Sequence, residues 1–190
     1  MKINIDMDNT LLDFKSPYDR ARSLHPEQPY PQSQYGFFAN LELLPLADLA
    51  YKYFTQWRDH EVYFLSAPSV HNPMCYTEKR ISIEKHFGFD ACENLILACD
   101  KSLIRGDMLI DDRVDSNKQN EFQGELVHFG SDKFPDWAQV LLWFDEKYHD
   151  GEYVKRIQSA VHRKYNHLVW QKSVLDARIK EQKERLGIEG

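Results

Sequence analysis

The opening stretch MKINIDMDNTLL, Met1 to Leu12, limits the fold more than any other part of the chain. An apolar-alternating run from Lys2 to Met7 carries two carboxylates, Asp6 and Asp8, at its end, followed by Asn9 and Thr10. Residues two apart on an extended strand face the same way. A strand that ends in Asp-x-Asp therefore presents both carboxylates at the carboxyl edge of a sheet, where open α/β sheets bind ligands. Two carboxylates that close repel each other, so a cation or a shared proton is expected between them.

Four further strand-like runs follow: Glu61–Ser66 (EVYFLS), Leu95–Ala98, Met108–Asp112 (MLIDD) and Glu125–Phe129. Helical patterns lie between and after them. Pro45 opens one, with Leu46, Leu49, Ala50, Tyr53 and Phe54 at helical spacing. A second starts from Thr77 as N-cap, uses Ile81, Ile83 and Phe87 as its apolar positions and closes at Gly88. Asp136–Lys147 reads as a third. Strands alternating with helices predict an α/β fold, a Rossmann-like parallel sheet with helices on both faces.

The segment Asp13–Asn40 is rich in proline and aromatics. Pro17–Ser23 reads as a short helix, and the PEQPYPQSQYG run as loop, because each proline removes a donor and restricts its predecessor. Such an insertion directly after the first strand reads as a small cap, at about 14–45, over a site at the strand's end. Residues 1–150 are thus expected to form one domain, with 151–190 as a helical extension. From Glu152 to about Leu186, Val154, Ile157, Val161, Tyr165, Leu168, Leu175, Ile179 and Leu186 form a near-heptad stripe, interrupted at Lys172 and Gln182. That stripe points to a helix laid along its own domain or to a homodimer.

Charge narrows the partners. The net charge is −6, yet residues 151–190 carry nine Lys and Arg against five Asp and Glu, so the body is strongly acidic. An acidic body argues against a nucleic-acid duplex as ligand. No run is long and apolar enough to span a bilayer, and the amino terminus enters a strand without a signal-peptide core. Three cysteines, Cys75, Cys92 and Cys99, without C-x-x-C spacing suggest reduced thiols and a cytoplasmic setting.

The chemistry-bearing residues sit at strand ends: Asp6, Asp8 and Thr10 at the first, Ser66 at the second, Lys101 after Asp100, Asp111 and Asp112 at the fourth. Lys79, in the first turn of a helix, competes with Lys101 for binding a phosphate. In a parallel sheet these ends converge on one edge. Carboxylates, a lysine and a hydroxyl suit Mg²⁺ with a phosphate, since Mg²⁺ takes one or two carboxylates plus phosphate oxygens and lysine supplies charge to the phosphoryl group. One aspartate, Asp6, can attack phosphorus, and Asp8 can protonate the leaving alcohol and then activate water.

These residues carry a resemblance. IDMDNTLLDF, GFFANLELLPLADLA, VYFLSAPS, YTEKRISIEKHFG and LILACDKSLIRGDMLIDDRVDS, in this order, resemble the haloacid-dehalogenase-like phosphohydrolases and, within them, the 5'(3')-deoxyribonucleotidase family. The resemblance implies Asp6 as nucleophile and metal ligand, and Asp8 as acid/base with its carbonyl as a further metal ligand. It implies Ser66 and Lys101 on the phosphate, Asp112 on the metal, and Asp111 orienting metal waters. Phe14 matches an aromatic of the nucleoside pocket, and Phe37 and Phe38 are candidate walls beside it. Three departures stand out. The segment between Phe14 and Gly36 is shorter than the cap of the animal-type enzymes. Cys99 stands where they carry arginine, and the 151–190 helix has no counterpart. The expectation is a cytoplasmic, Mg²⁺-dependent phosphomonoesterase acting on deoxynucleoside monophosphates. The alternatives are a related phosphatase for another small phosphate and a non-catalytic scaffold that assembles through the long helix.

Overall fold

The computed structural model describes residues 1–167. Its described residues fall into two compact units, divided after Leu141.

The first unit is built on five strands: β1 (Lys2–Ile5), β2 (Glu61–Ser66), β3 (Leu95–Leu97), β4 (Met108–Asp111) and β5 (Glu125–His128). They form one sheet in the order β3-β2-β1-β4-β5. Every pairing is parallel, with Ile5 beside both Phe64 and Ile110. The chain first builds outward from β1 to β3, then returns past β1 to β4 and β5. Right-handed crossovers place the connections of these two halves on opposite faces. On one face lie α2 (Ala47–Lys52) and α3 (Cys75–Phe87), which follow α1 (Lys15–Leu24) in the chain. There Phe64 stacks on Tyr51 at 5.4 Å and lies 5.1 Å from Phe87. On the other, Leu65, Leu109 and Phe122 pack with Ile96, Ala98, Ile104 and Leu126. The connections of that half carry 3₁₀ turns at Lys101–Leu103 and Gln119–Glu121. The strands read as near-continuous apolar runs because both faces are covered.

The helix after Pro45 is shorter than its pattern suggests. Leu46 adopts a left-handed backbone at φ 71°, α2 runs for six residues, and one π-helical turn, Tyr53–Trp57, continues it. The expected N-cap at Thr77 is corrected. The helix α3 begins at Cys75, and the side chain of Asn72 accepts from the Met74 N–H at 2.9 Å. The expected apolar face is corrected too. Ile81 is 42% exposed, and the buried positions are Cys75, Glu78, Lys79, Ser82 and Ile83. A helix whose inner face is mostly polar serves a polar site, and apolar periodicity cannot reveal it.

The helix α4 (Trp137–His149) crosses the boundary between the units. In the second unit, Asp150 and Gly151 take left-handed backbone, and Asp145 accepts from the Tyr153 N–H at 2.7 Å, turning the chain into a helix over 154–167. The later stripe positions, Leu168, Leu175, Ile179 and Leu186, lie outside the described residues, as does most of the stretch on which a homodimer was expected. No described helix is long and apolar enough to cross a membrane.

Candidate active site

The site begins where β1 stops. The strand ends at Ile5, two residues earlier than the alternation suggests, and the Asp6 N–H donates to the Ile110 carbonyl at 2.9 Å. The chain then folds into a tight turn. The N–H groups of Leu11 and Leu12 donate to Met7, and Asn9 adopts φ 58°. Asparagine tolerates that left-handed backbone better than most residues. Thr10 is buried and couples two elements. Its hydroxyl accepts from the Asp112 N–H at 3.1 Å, and its carbonyl accepts from Trp137 Nε1 at 2.8 Å.

A cavity of about 160 Å³ opens at this edge. Asp6, Asp8, Phe14, Ser66, Lys101, Asp111 and Asp112 all line it, with Asn9, Ala67, Arg113, Asn117 and Gln119. Residues that are far apart in sequence converge because every strand presents its carboxyl end to the same edge.

Two buried lysines divide the charge. The ammonium of Lys101 bonds Asp6 and Asp111, each at 2.5 Å. Burial alone would lower its pKa, but the flanking Asp6 and Asp111 carry it above the ordinary lysine value, so it stays charged. Lys79 is fully buried and donates to Asp8 at 2.7 Å and to the Ser66 hydroxyl at 2.9 Å. It also lies 4.9 Å over the Phe38 ring. Lys101 reaches the cavity wall, whereas Lys79 braces Asp8 and Ser66 from behind. A burial this complete is not that of an ordinary solvated helix lysine.

The remaining carboxylates are under strain from their own neighbours. Burial raises the pKa of Asp8, with Lys79 opposing and Asp6 adding to the rise. Burial likewise raises Asp111, with Asp6 adding. Asp112 is pushed up to about 7 by burial and by the charges of Asp6 and Asp111. Its nearest cation is the exposed Arg113 at 4.0 Å. Oxygens of Asp6, Asp111 and Asp112 lie within 4.8 Å of one another, a grouping that could hold a metal ion. An oxygen-only donor set that carries uncompensated negative charge fits a hard divalent cation.

Of the three phenylalanines, Phe14 lines the cavity. Phe37 packs on it edge-on at 5.3 Å, and Phe38 is buried beneath, 1% exposed, as core between Phe14 and Lys79.

The insertion after β1 is tied down by residues whose importance the sequence did not show. Glu78 accepts from the backbone N–H groups of Gly36 at 2.7 Å and Phe38 at 3.0 Å. Asn72 donates to the carbonyls of Gln32 and Gln34. Gly36 sits at φ 85°, a conformation that lets its N–H face the carboxylate. Replacing Glu78 by alanine is expected to cost about 3 kcal/mol, since one buried and one half-buried donor lose their acceptor. Urea unfolding measures that loss, and limited proteolysis should then cut within residues 31–38 faster than in the wild type.

A sequence-family model for "5' nucleotidase, deoxy (Pyrimidine), cytosolic type C protein" matches residues 13–148 of this chain. The chain belongs to that family. Its members are phosphoric monoester hydrolases of the 5'-nucleotidase type. A "Putative 5'(3')-deoxyribonucleotidase" of Vibrio phage KVP40 is 37% identical over 145 residues, 74% of this chain and 82% of the relative. The mitochondrial 5'(3')-deoxyribonucleotidase of Mus musculus is 29% identical over 178 residues, covering 78% of this chain and 76% of its own length. The cytosolic-type enzyme of Homo sapiens is 27% identical over 171 residues, with 75% and 79% covered.

Proposed function

We propose that this chain hydrolyses deoxyribonucleoside monophosphates through an aspartyl-phosphate on Asp6, with Mg²⁺ as its metal. The observation that carries the reading is the convergence of Asp6, Asp8, Ser66, Lys101 and the Asp111–Asp112 pair on one cavity. The similarity to proteins named as 5'(3')-deoxyribonucleotidases supports the substrate class.

The cavity, about 160 Å³, is smaller than the ~300–1,000 Å³ of sites that enclose drug-sized ligands. It suits the phosphoryl group, with the nucleoside emerging past Phe14. Ser66 and Lys101 hold the phosphoryl oxygens. One oxygen of Asp6 is fixed by Lys101, which leaves the other to attack phosphorus. As the new O–P bond forms, the bond to the leaving oxygen breaks, and Asp8 gives that oxygen its proton. The raised pKa of Asp8 favours the protonated acid that this step requires. Asp8 then takes a proton from water as the water attacks the phosphoaspartate, which releases inorganic phosphate and restores Asp6. Asp6 and Asp112 would hold the metal, and Asp111, already engaged by Lys101 and by the Arg113 N–H, would orient its waters. The metal supplies positive charge against that of the phosphate.

The test is phosphate release, with and without Mg²⁺, from 5' and 3' nucleoside monophosphates, deoxy and ribo, and from sugar phosphates. Metal-dependent release that favours deoxynucleotides is the expected result. Release from sugar phosphates alone would retain the chemistry and overturn the substrate class.

A further inference from the structure

The loop after β4 makes contacts that the reaction scheme does not use. Lys118 adopts left-handed backbone at φ 57° and delivers Gln119 into the interior, where it is 1% exposed. The Gln119 side-chain amide donates to both oxygens of Asp111, at 3.3 Å each, and its carbonyl accepts from the Asn117 N–H at 2.8 Å. Both ends of the buried amide are thus engaged inside the site. The same loop holds the lysine segment. The Lys101 N–H donates to the Asn117 carbonyl at 2.9 Å, Asn117 Nδ2 donates to the Cys99 carbonyl at 2.9 Å, and Lys118 pairs with Asp100 at 2.7 Å.

A chain of contacts follows: Gln119 to Asp111, Asp111 to Lys101, Lys101 to Asp6. Asp111 is shared among three donors: the Lys101 ammonium on one oxygen, the Arg113 N–H on the other, and the Gln119 amide on both. Without the amide, the carboxylate keeps one donor on each oxygen, the Arg113 N–H and the ammonium, but loses the group that bridges the two, so its orientation is less tightly set. The ammonium would follow it, because a charge-assisted bond of this kind outweighs a neutral one.

We infer that Gln119 is a positioning residue for the hydrolysis, aiming Asp111 at Lys101 so that the ammonium fixes one oxygen of Asp6 and leaves the other free to react. The inference rests on the roles proposed for Asp6 and Lys101. It makes Gln119, although it lines the cavity, act through the lysine, and therefore on kcat more than on KM.

The experiment compares wild type, Gln119→Met, Lys101→Met and the double variant in steady-state phosphate release and in urea unfolding. Methionine keeps the length of the side chain and removes its donors and acceptor. Gln119→Met is expected to lower kcat by about 10–100-fold, the usual cost of losing such a supporting partner, with KM changed less than about threefold. In the Lys101→Met background the same change should cost less than about twofold, because the residue it acts through is gone. Activity of Gln119→Met within about twofold of wild type would overturn the inference. So would an equal fractional loss in both backgrounds, or a loss that merely tracks the unfolded fraction. Wild-type protein inactive on every phosphate would remove the proposed function instead. The unfolding midpoints then decide on Gln119: a shift that shrinks when Lys101 is absent keeps the positioning role, and an undiminished shift overturns it.

Discussion

Asp6→Asn should lower kcat by about 10⁴-fold or more while the protein remains folded, since removing a nucleophile that works with an adjacent acid costs on that order. Asparagine has the shape of aspartate and keeps an oxygen for Lys101, so the ammonium retains a partner beside Asp111. The electrostatics also favour folding. Four carboxylates, Asp6, Asp8, Asp111 and Asp112, face two buried lysines, Lys79 and Lys101. The charge of Asp6 contributes to the raised pKa of three of them, Asp8, Asp111 and Asp112. Its removal relieves all three. Phosphate release and a thermal melt are measured together. Loss of turnover with an unchanged or higher melting temperature is the expected pair, and a variant that retains a tenth of wild-type activity would remove Asp6 from the nucleophile's role.

The framework behind this prediction was largely legible in the sequence. Short apolar runs bounded by breakers gave all five strands, and Glu61–Ser66 coincides with β2 to the residue. Strand ends in a parallel sheet must meet, so the pattern of strands already brings Asp6, Ser66 and Asp112 to one edge. What stayed hidden depends on contacts between segments that have no shared pattern. Glu78 and Asn72 read as ordinary polar residues until the backbone of the insertion is laid against them. Gln119 gains meaning only once the loop after β4 folds back on Asp111. Lys79 shows the same limit in a helix. Its neighbours Glu78 and Ser82 make the buried face polar, so the apolar stripe that signals burial was missing. Phe38, by contrast, reads equally as a pocket wall or as core, and only packing separates the two.

Asp112→Asn should stabilise the metal-free protein at pH 8 and abolish its metal-dependent turnover. In the fold, this carboxyl is pushed from 3.8 to about 7, by burial first and then by Asp6 and Asp111. A carboxyl whose folded pKa lies above its unfolded value binds its proton more tightly when folded. Stability therefore falls as pH rises between the two values, and the loss is complete above the folded one. At about 1.4 kcal/mol per pKa unit, a rise from 3.8 to about 7 amounts to roughly 4 kcal/mol at pH 8. Asparagine does not titrate, so the difference in melting temperature between variant and wild type in EDTA should be near zero at pH 4 and reach several degrees in the variant's favour at pH 8. A divalent cation offsets the same charge by binding. Mg²⁺ should accordingly raise the wild-type melting temperature at pH 8 and leave that of Asp112→Asn nearly unchanged. The two effects would have one cause: an acid placed to hold a metal is costly without it. A variant that melts below wild type at pH 8 in EDTA would show that Asp112 is instead stabilised by its surroundings, and Mg²⁺ stabilising both proteins equally would place the metal elsewhere.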